Sequence, residues 1–376
     1  MSALTYLDYN ATAKIRPEAV AAVISALEVG ANPSSTHAAG RKARAMVERA
    51  RAEVAALVAA RSDMTTFVSG GVEANALAIE SALADGCERA IVSATEHDAV
   101  WATVHAVFPK VEAWPVDETG VADLGWLADA LSKAGRALVC LMAANNETGV
   151  IQPVGAVSAL VREAGGWLHV DAVQAAGKMA LDTAALGADT LALSGHKVGG
   201  PQGVGALIAG PEVAIARRLH GGGQERGRRA GTENLPGIAG FGAAALAARR
   251  DLPSVAGQAI WRDALAGRLE ECGAVVLGGP ALRLPQTLCA ATPEFASETQ
   301  VMALDLAGVM VSAGAACSSG KVKASRVVEA MGRADLASSS IRVSGGWAST
   351  EADWRRCGDA WLEAFERRKA RQREFA

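Results

Sequence analysis

Three features of the sequence predict an α/β fold with a mostly parallel central sheet. Short strand-like runs are apolar throughout, alanine-rich helical stretches separate most of them, and each run ends in polar or glycine punctuation. The runs are TTFVSGG, RAIVSATEH, ALVCLMAANNETG, WLHVDA, TLALSGHK and GVGALIAG, with helices expected over 72–85, 122–134 and 153–165. Strands without a polar face need cover on both sides, which intervening helices supply, and in such sheets ligands bind at the carboxyl ends of the strands. The polar clusters fall at those ends. Stretches 39–60 and 235–250 read as flanking helices. After RRDLPSVAG the texture changes to a helix, short strands around 274–290, a glycine/serine loop at 312–320 and a charged terminal helix. Residues 15–250 are therefore expected to form a large ligand-binding domain, and residues 1–14 with 251–376 a smaller α+β domain.

Composition narrows the function class. The 376 residues are 50% hydrophobic, enough for two cores, and 37 Lys+Arg against 40 Asp+Glu leave a net charge of −3. No overall basic field favours nucleic acid or an anionic membrane. The start MSALTYLDYN has neither a charged nor an apolar leader region, and no run of eighteen apolar residues occurs, so a soluble cytoplasmic protein is expected. Six cysteines lie far apart without C-x-x-C spacing, so neither a metal centre nor a dithiol pair is expected.

The chemistry gathers around Lys197 in SGHKVGG, at the end of an apolar run beside a glycine-rich turn. A lysine becomes a nucleophile toward a carbonyl when its surroundings lower its pKa or hold it as a Schiff base. Pyridoxal phosphate is an aldehyde-bearing cofactor that suits the neighbours, because it needs an acidic partner for its ring nitrogen, a phosphate cup and an attachment lysine. HVDAVQ offers Asp171 at a strand end, with Gln174 three residues on. Taken alone, Asp171 would be read as a helix cap. SGGVEAN offers Ser69, Gly70 and Gly71 before a helix starting near Val72, whose free N–H groups face an anion.

These motifs, in this order, resemble the cysteine desulfurases among the class V, fold-type I pyridoxal-phosphate enzymes that serve iron–sulfur cluster assembly. The resemblance runs nearly end to end, through YLDYNATA, NPSSTH, SGGVEAN, TEHDAV, NNETGVIQP, HVDAVQAAGK, SGHKVGGPQGVGAL, HGGGQERGRRAGTEN, SAGAACSSG and SSIRVS. It implies that Lys197 is the attachment lysine, that Asp171 pairs with the pyridinium nitrogen, and that Gln174 and Asn146 contact the phenolic oxygen. It further implies that His97 stacks on the ring and moves protons, and that Gly71, Val72, Ser194 and His196 hold the phosphate. Thr232 would reach the phosphate of the neighbouring subunit, which makes a homodimer a condition of the chemistry.

Cys317 lies among small residues in VSAGAACSSG, between Gly314 and Gly320. Such a setting favours a reactive thiol, whereas the other five cysteines read as buried fillers. The resemblance gives Cys317 the attack on the substrate's sulfur. Arg342 in SSIRVS offers a planar fork for the substrate carboxylate, with Asn32 of NPSS as its helper. The implied reaction converts L-cysteine to L-alanine and leaves the sulfur on Cys317 as a persulfide, for delivery to a sulfur-accepting protein such as an iron–sulfur scaffold. A related aminotransferase or selenocysteine lyase would share the cofactor site without needing Cys317, and a non-catalytic partner would need neither. Three positions depart from the family pattern. Val72 stands where threonine is usual, Ala76 where asparagine tends to occur, and Trp347 where an arginine is common.

Overall fold

The computed structural model describes residues 4–314 and 324–374. Thirteen strands run in chain order: β1 (Thr5–Tyr6), β2 (Thr65–Val68), β3 (Arg89–Ser93), β4 (Val111–Trp114), β5 (Ala137–Met142), β6 (Trp167–Asp171), β7 (Thr190–Ser194), β8 (Gly205–Ala209), β9 (Val275–Val276), β10 (Thr287–Ala291), β11 (Val309–Met310), β12 (Ser312–Ala313) and β13 (Ser340–Ser344). Seven of them form the large sheet in the order β2-β8-β7-β6-β5-β3-β4. Only β8 runs against its neighbours, so β2, β7, β6, β5, β3 and β4 point the same way.

Every residue of β3, β5, β6, β7 and β8 is buried. Alternate side chains leave a strand on opposite faces. Accordingly Ile91, Val139 and Leu141 enter a core with the helices Pro17–Val29, Ala38–Leu57 and Leu235–Arg250, while Ala90, Val92, Leu138 and Cys140 meet the helices Gly71–Ala84 and Asp98–Val107. The first helix layer is tight because Leu235–Arg250 carries glycine at its contacts. A Cβ on Gly242 would come within 2.6 Å of the Ala50 backbone, and one on Gly240 within 2.7 Å of Pro201.

A second core lies around the sheet β12-β13-β10-β9, built from Leu265, Leu288, Phe295, Ile341, Trp354 and Trp361 with Leu7 from the chain start. Here β1 runs parallel to β11, and Asp8 bridges to Ser344 at the end of β13. The N-terminal segment thus crosses from this core to the carboxyl end of β7 in the large sheet, where Ala13 N–H donates to the His196 carbonyl at 3.0 Å. Register brings the site together: Met142 faces Asp171, Asp171 faces Ala192, and both Val68 and Ser194 face Gly205. The carboxyl ends of β2, β5, β6 and β7 are level.

Beyond β8 the backbone of Glu225 and Arg226 is left-handed, at φ 48° and 59°, a conformation side chains resist. It is held by a buried fork. Arg51 donates to both Glu225 carboxylate oxygens at 2.6 and 2.8 Å, and Phe67 N–H donates to one of them at 2.8 Å. Removing one partner strands the other in a dry site, at a cost of about 3–5 kcal/mol. Glu225→Ala should therefore lose about 3 kcal/mol or more in urea unfolding. A loss below about 1 kcal/mol would show that the fork does not hold this segment.

Candidate active site

A cavity of about 350 Å³ opens at the level strand ends, in the range of small-molecule sites. Its lining joins Asn10 and Ala11, Gly71, Val72 and Asn75, His97, Asn146, Asp171 and Gln174, Ser194, His196 and Lys197, and Arg342. Ten of the thirteen site residues read from the sequence meet there: Gly71, Val72, His97, Asn146, Asp171, Gln174, Ser194, His196, Lys197 and Arg342.

Lys197 follows β7 in a single helical turn, Gly195–Lys197. Its Nζ donates to the carbonyls of Asn10 and Ala11, at 2.9 Å for the latter, and touches no carboxylate. Burial, seconded by the Arg342 charge, lowers its pKa from 10.5 to about 8, against the weaker pull of Asp8 and Asp171. An amine near pH 8 is neutral often enough to attack a carbonyl.

Asp171 ends β6 and lines the same cavity. Its carboxylate accepts from Asn75 Nδ2 at 2.8 Å and from Val173 N–H at 2.9 Å. The amide of Asn75 is thereby oriented with its oxygen toward His169 Nε2, 2.9 Å away, while His169 Nδ1 meets the Thr190 hydroxyl at 2.9 Å. Burial drops His169 to about 4, so the ring is neutral; since Asn75 Oδ1 only accepts, the proton sits on Nε2. A chain of four residues fixes the carboxylate without placing a cation beside it.

The anion cradle lies at the start of the helix Gly71–Ala84. Gly70 caps it without a side-chain bond, leaving the first-turn N–H groups to a ligand. Space is tight at Gly71: a Cβ there would come within 3.0 Å of Val173 Cγ2, which would have to give way, and in ordinary contact with Ser194 Cβ at 3.6 Å. His196 closes the cradle with Nδ1 3.1 Å from the Thr12 hydroxyl. Burial first, then Lys197 and Lys178, push its pKa down to about 4, leaving a neutral ring. The tautomer in which Thr12 donates to Nδ1 leaves Nε2–H to donate to an anion.

His97 is the N-cap of the helix Asp98–Val107 and accepts from Ala99 N–H through Nδ1 at 3.0 Å. Arg342, on β13, is 1% exposed. Its Nη2 holds Asp8 Oδ1 at 2.8 Å and its Nη1 the Asn146 carbonyl at 3.2 Å, while the buried Nε has no partner among the described residues. Arg342 also lines the cavity, where a guanidinium suits an incoming carboxylate.

Three expected residues are not brought together here. Asn32 is exposed and spends its side-chain oxygen on Ser34 N–H at 2.8 Å, outside the cavity of its own chain. Thr232 is likewise exposed and outside it. Cys317 lies outside the described residues.

Sequence reasoning gave no role to Asn75 and His169, to Asp8 and Asn10, or to Lys178. Lys178 is a second buried amine, bonded to Asn10 Oδ1 at 3.1 Å and to Gln174 Oε1, with burial lowering its pKa strongly. Gln174 is thereby committed: its Nε2 donates to the Asn10 carbonyl at 2.8 Å. The signal available was the repeated presence of these residues inside YLDYNATA, SGGVEAN and HVDAVQAAGK. Among the described residues no cluster of His, Cys, Asp or Glu could hold a metal, and no helix is long and apolar enough to cross a membrane.

The donor set fits pyridoxal phosphate: a low-pKa lysine, a carboxylate in the same cavity, and a cradle that a single Cβ would crowd. The comparisons agree. The aminotransferase class-V family matches residues 5–356. The cysteine desulfurase of Cereibacter sphaeroides is 44% identical over 87% of this chain and 86% of its own. The cysteine desulfurase IscS of Dictyoglomus turgidum is 38% identical over 93% and 91%. A NifS-like protein from Rickettsia africae superposes with a TM-score of 0.89 at 31% identity, over 97% of this chain and 100% of its own.

Two outcomes are expected. Capture of pyridoxal phosphate by the apoprotein, followed by absorbance, should quicken as pH rises toward about 8 and level off above it, because only the neutral Lys197 amine reacts. A rate still climbing at pH 10 would mark an ordinary lysine. Val72, 63% exposed at the cradle, offers only its N–H. Val72→Thr adds a donor, and half of a charge-assisted bond is about 0.75–1.5 kcal/mol, so cofactor titration should show binding tighter by up to about tenfold. Unchanged binding would place this side chain away from the phosphate.

Proposed function

Since the chain belongs to the aminotransferase class-V family and is a pyridoxal-phosphate-dependent cysteine desulfurase, we propose that it works as a homodimer in which Lys197, His97 and Cys317 act on L-cysteine. The observation that supports the assignment of roles is the half-buried, low-pKa Lys197 sharing one cavity with Asp171 and Arg342.

In this reading Lys197 anchors the cofactor, Asp171 meets its ring nitrogen, and Gly71, Val72, Ser194 and His196 hold its phosphate. Asn146 and Gln174 line the side of the phenolic oxygen, for which Gln174 must turn from Asn10. Thr232 completes the phosphate site of the other subunit. Its exposed position, outside its own chain's cavity, leaves it available for that contact. When bound, pyridoxal phosphate supplies an electron sink for the bond broken at the substrate Cα.

The chain's own groups do the rest. Arg342 receives the substrate carboxylate on its guanidinium and shares that fork with Asp8, with Asn32 assisting. Lys197 Nζ, free once substrate occupies its place, takes the Cα proton. His97, with Nδ1 engaged by its helix, keeps Nε2 toward the cavity for proton movement. Cys317 Sγ, as thiolate, forms an S–S bond to the substrate sulfur as the Cβ–S bond breaks. The three-carbon product takes up protons and leaves as L-alanine. One L-cysteine and one thiol thus give one L-alanine and one persulfide, with no external oxidant. The persulfide sulfur then passes to an acceptor protein, and iron–sulfur cluster assembly is the use that fits the relatives' names. A cytoplasmic location accords with this chemistry.

The test is Cys317→Ser in the holoenzyme. Cofactor content and the absorbance change on adding L-cysteine should persist, while persulfide and released sulfide vanish. Sulfide release at the wild-type rate would assign the sulfur transfer to another group.

A further inference from the structure

Residues 94–97 link β3 to the helix Asp98–Val107 and carry His97 into the cavity lining. Main-chain bonds secure only part of this link. Glu96 N–H donates to the Ser93 carbonyl at 3.1 Å, and the His97 carbonyl receives Val100 and Trp101 at 2.9 and 3.0 Å. The carbonyls of Ala94, Thr95 and Glu96 are met by side chains instead. Asn145 Nδ2 donates to Thr95 at 3.1 Å, and Arg326 takes the other two, Nη1 to Ala94 at 3.1 Å and Nη2 to Glu96. The same Nη2 lies 3.2 Å from Asp98 Oδ1, and the guanidinium stands over the Trp101 ring, 4.5 Å from its centroid. One side chain therefore grips the residue before His97, the residue after it and the first turn of the helix that His97 caps.

Arg326 comes from the smaller core. It opens the helix Arg326–Ala330, whose Val327 and Val328 pack with Leu277, Cys289 and Leu336, and it lies outside the cavity lining. Its ion pair is with a carboxylate that is 86% exposed and adds little; the bonds to two carbonyls and the aromatic face carry the hold. The His97 ring is itself exposed, with little packing of its own to orient it, and its Nδ1 is tied to Ala99 N–H, so the ring goes where this turn goes. We propose that Arg326 is a positioning residue for the cofactor site, its fork fixing the 94–98 turn so that the His97 ring is presented to pyridoxal phosphate at a set distance and tilt. This rests on the reading of His97 as the residue that stacks on the cofactor ring.

The experiment is a double-mutant cycle between Arg326→Gln and His97→Asn, the latter removing the ring while keeping a good helix cap. Two quantities are read: cofactor affinity, by titrating the apoprotein with pyridoxal phosphate, and the visible circular dichroism of the holoenzyme, which reports the setting of the bound ring. Arg326→Gln should bind the cofactor about two- to tenfold more weakly, the range of one lost aromatic contact, and should change the dichroic band. His97→Asn should do the same. Adding Arg326→Gln to His97→Asn should change neither quantity further, because no ring is left to place. An undiminished effect in the His97→Asn background would make Arg326 a general support of the fold and overturn the proposal, as would wild-type binding and dichroism in Arg326→Gln. Arg326→Lys keeps the charge without the planar fork and should fall with the glutamine variant. Wild-type values in it overturn the hold by the fork, and it decides if Arg326→Gln fails to fold. Should His97→Asn alone leave both quantities unchanged, the reading of His97 falls, and the proposal with it.

Discussion

The site depends on one desolvated amine. Lys197 is held by two main-chain carbonyls of the N-terminal segment, near the positive charge of Arg342 and away from any carboxylate contact. That environment keeps the nitrogen reactive, and it exists because residues 8–12 run between the two cores. Asp8 ties Arg342, the Asn10 carbonyl receives Lys197 and Gln174, the Asn10 side chain receives Lys178 and donates to Thr287, and Thr12 meets His196. The segment 8–12 after β1 thus fastens the arginine from the smaller sheet to the lysine of the larger one.

The remaining electrostatics follow from burial. Two histidines close to the cavity, His169 and His196, are driven neutral by desolvation, so neither competes with Lys197 for protons or with the cofactor ring for Asp171. Asp171 keeps two donors, both neutral, and remains free to pair with a cationic ring nitrogen. Glu96, adjacent to His97, shows the opposite effect: burial first, then the Asp171 charge, raises its carboxyl well above the ordinary range.

Much of this was legible because parallel sheets put function where strands end. Asp171, Ser194, His196, Lys197 and the 69–72 turn each close an apolar run, and register levels those ends in space. Other parts were not. His169 sits inside the apolar run WLHVD, and its role depends on Asn75, ninety-four residues away in sequence. Asp8 and Asn10 gain meaning only from crossing between cores. The antiparallel direction of β8 cannot be read from GVGALIAG, whose composition suits either sense. Thr232 and Asn32 are exposed and lie outside the cavity, so nothing within the described chain brings them to the positions expected of them.

Two buried amines, Lys197 and Lys178, share the neighbourhood of Asn10, and burial lowers both. Lys197 lines the cavity, whereas Lys178 is spent on Asn10 and Gln174. Borohydride reduction of the holoenzyme followed by peptide mapping separates them. The account predicts the cofactor fixed to the peptide carrying Lys197. Cofactor fixed at Lys178, or no fixed cofactor at all, would contradict it.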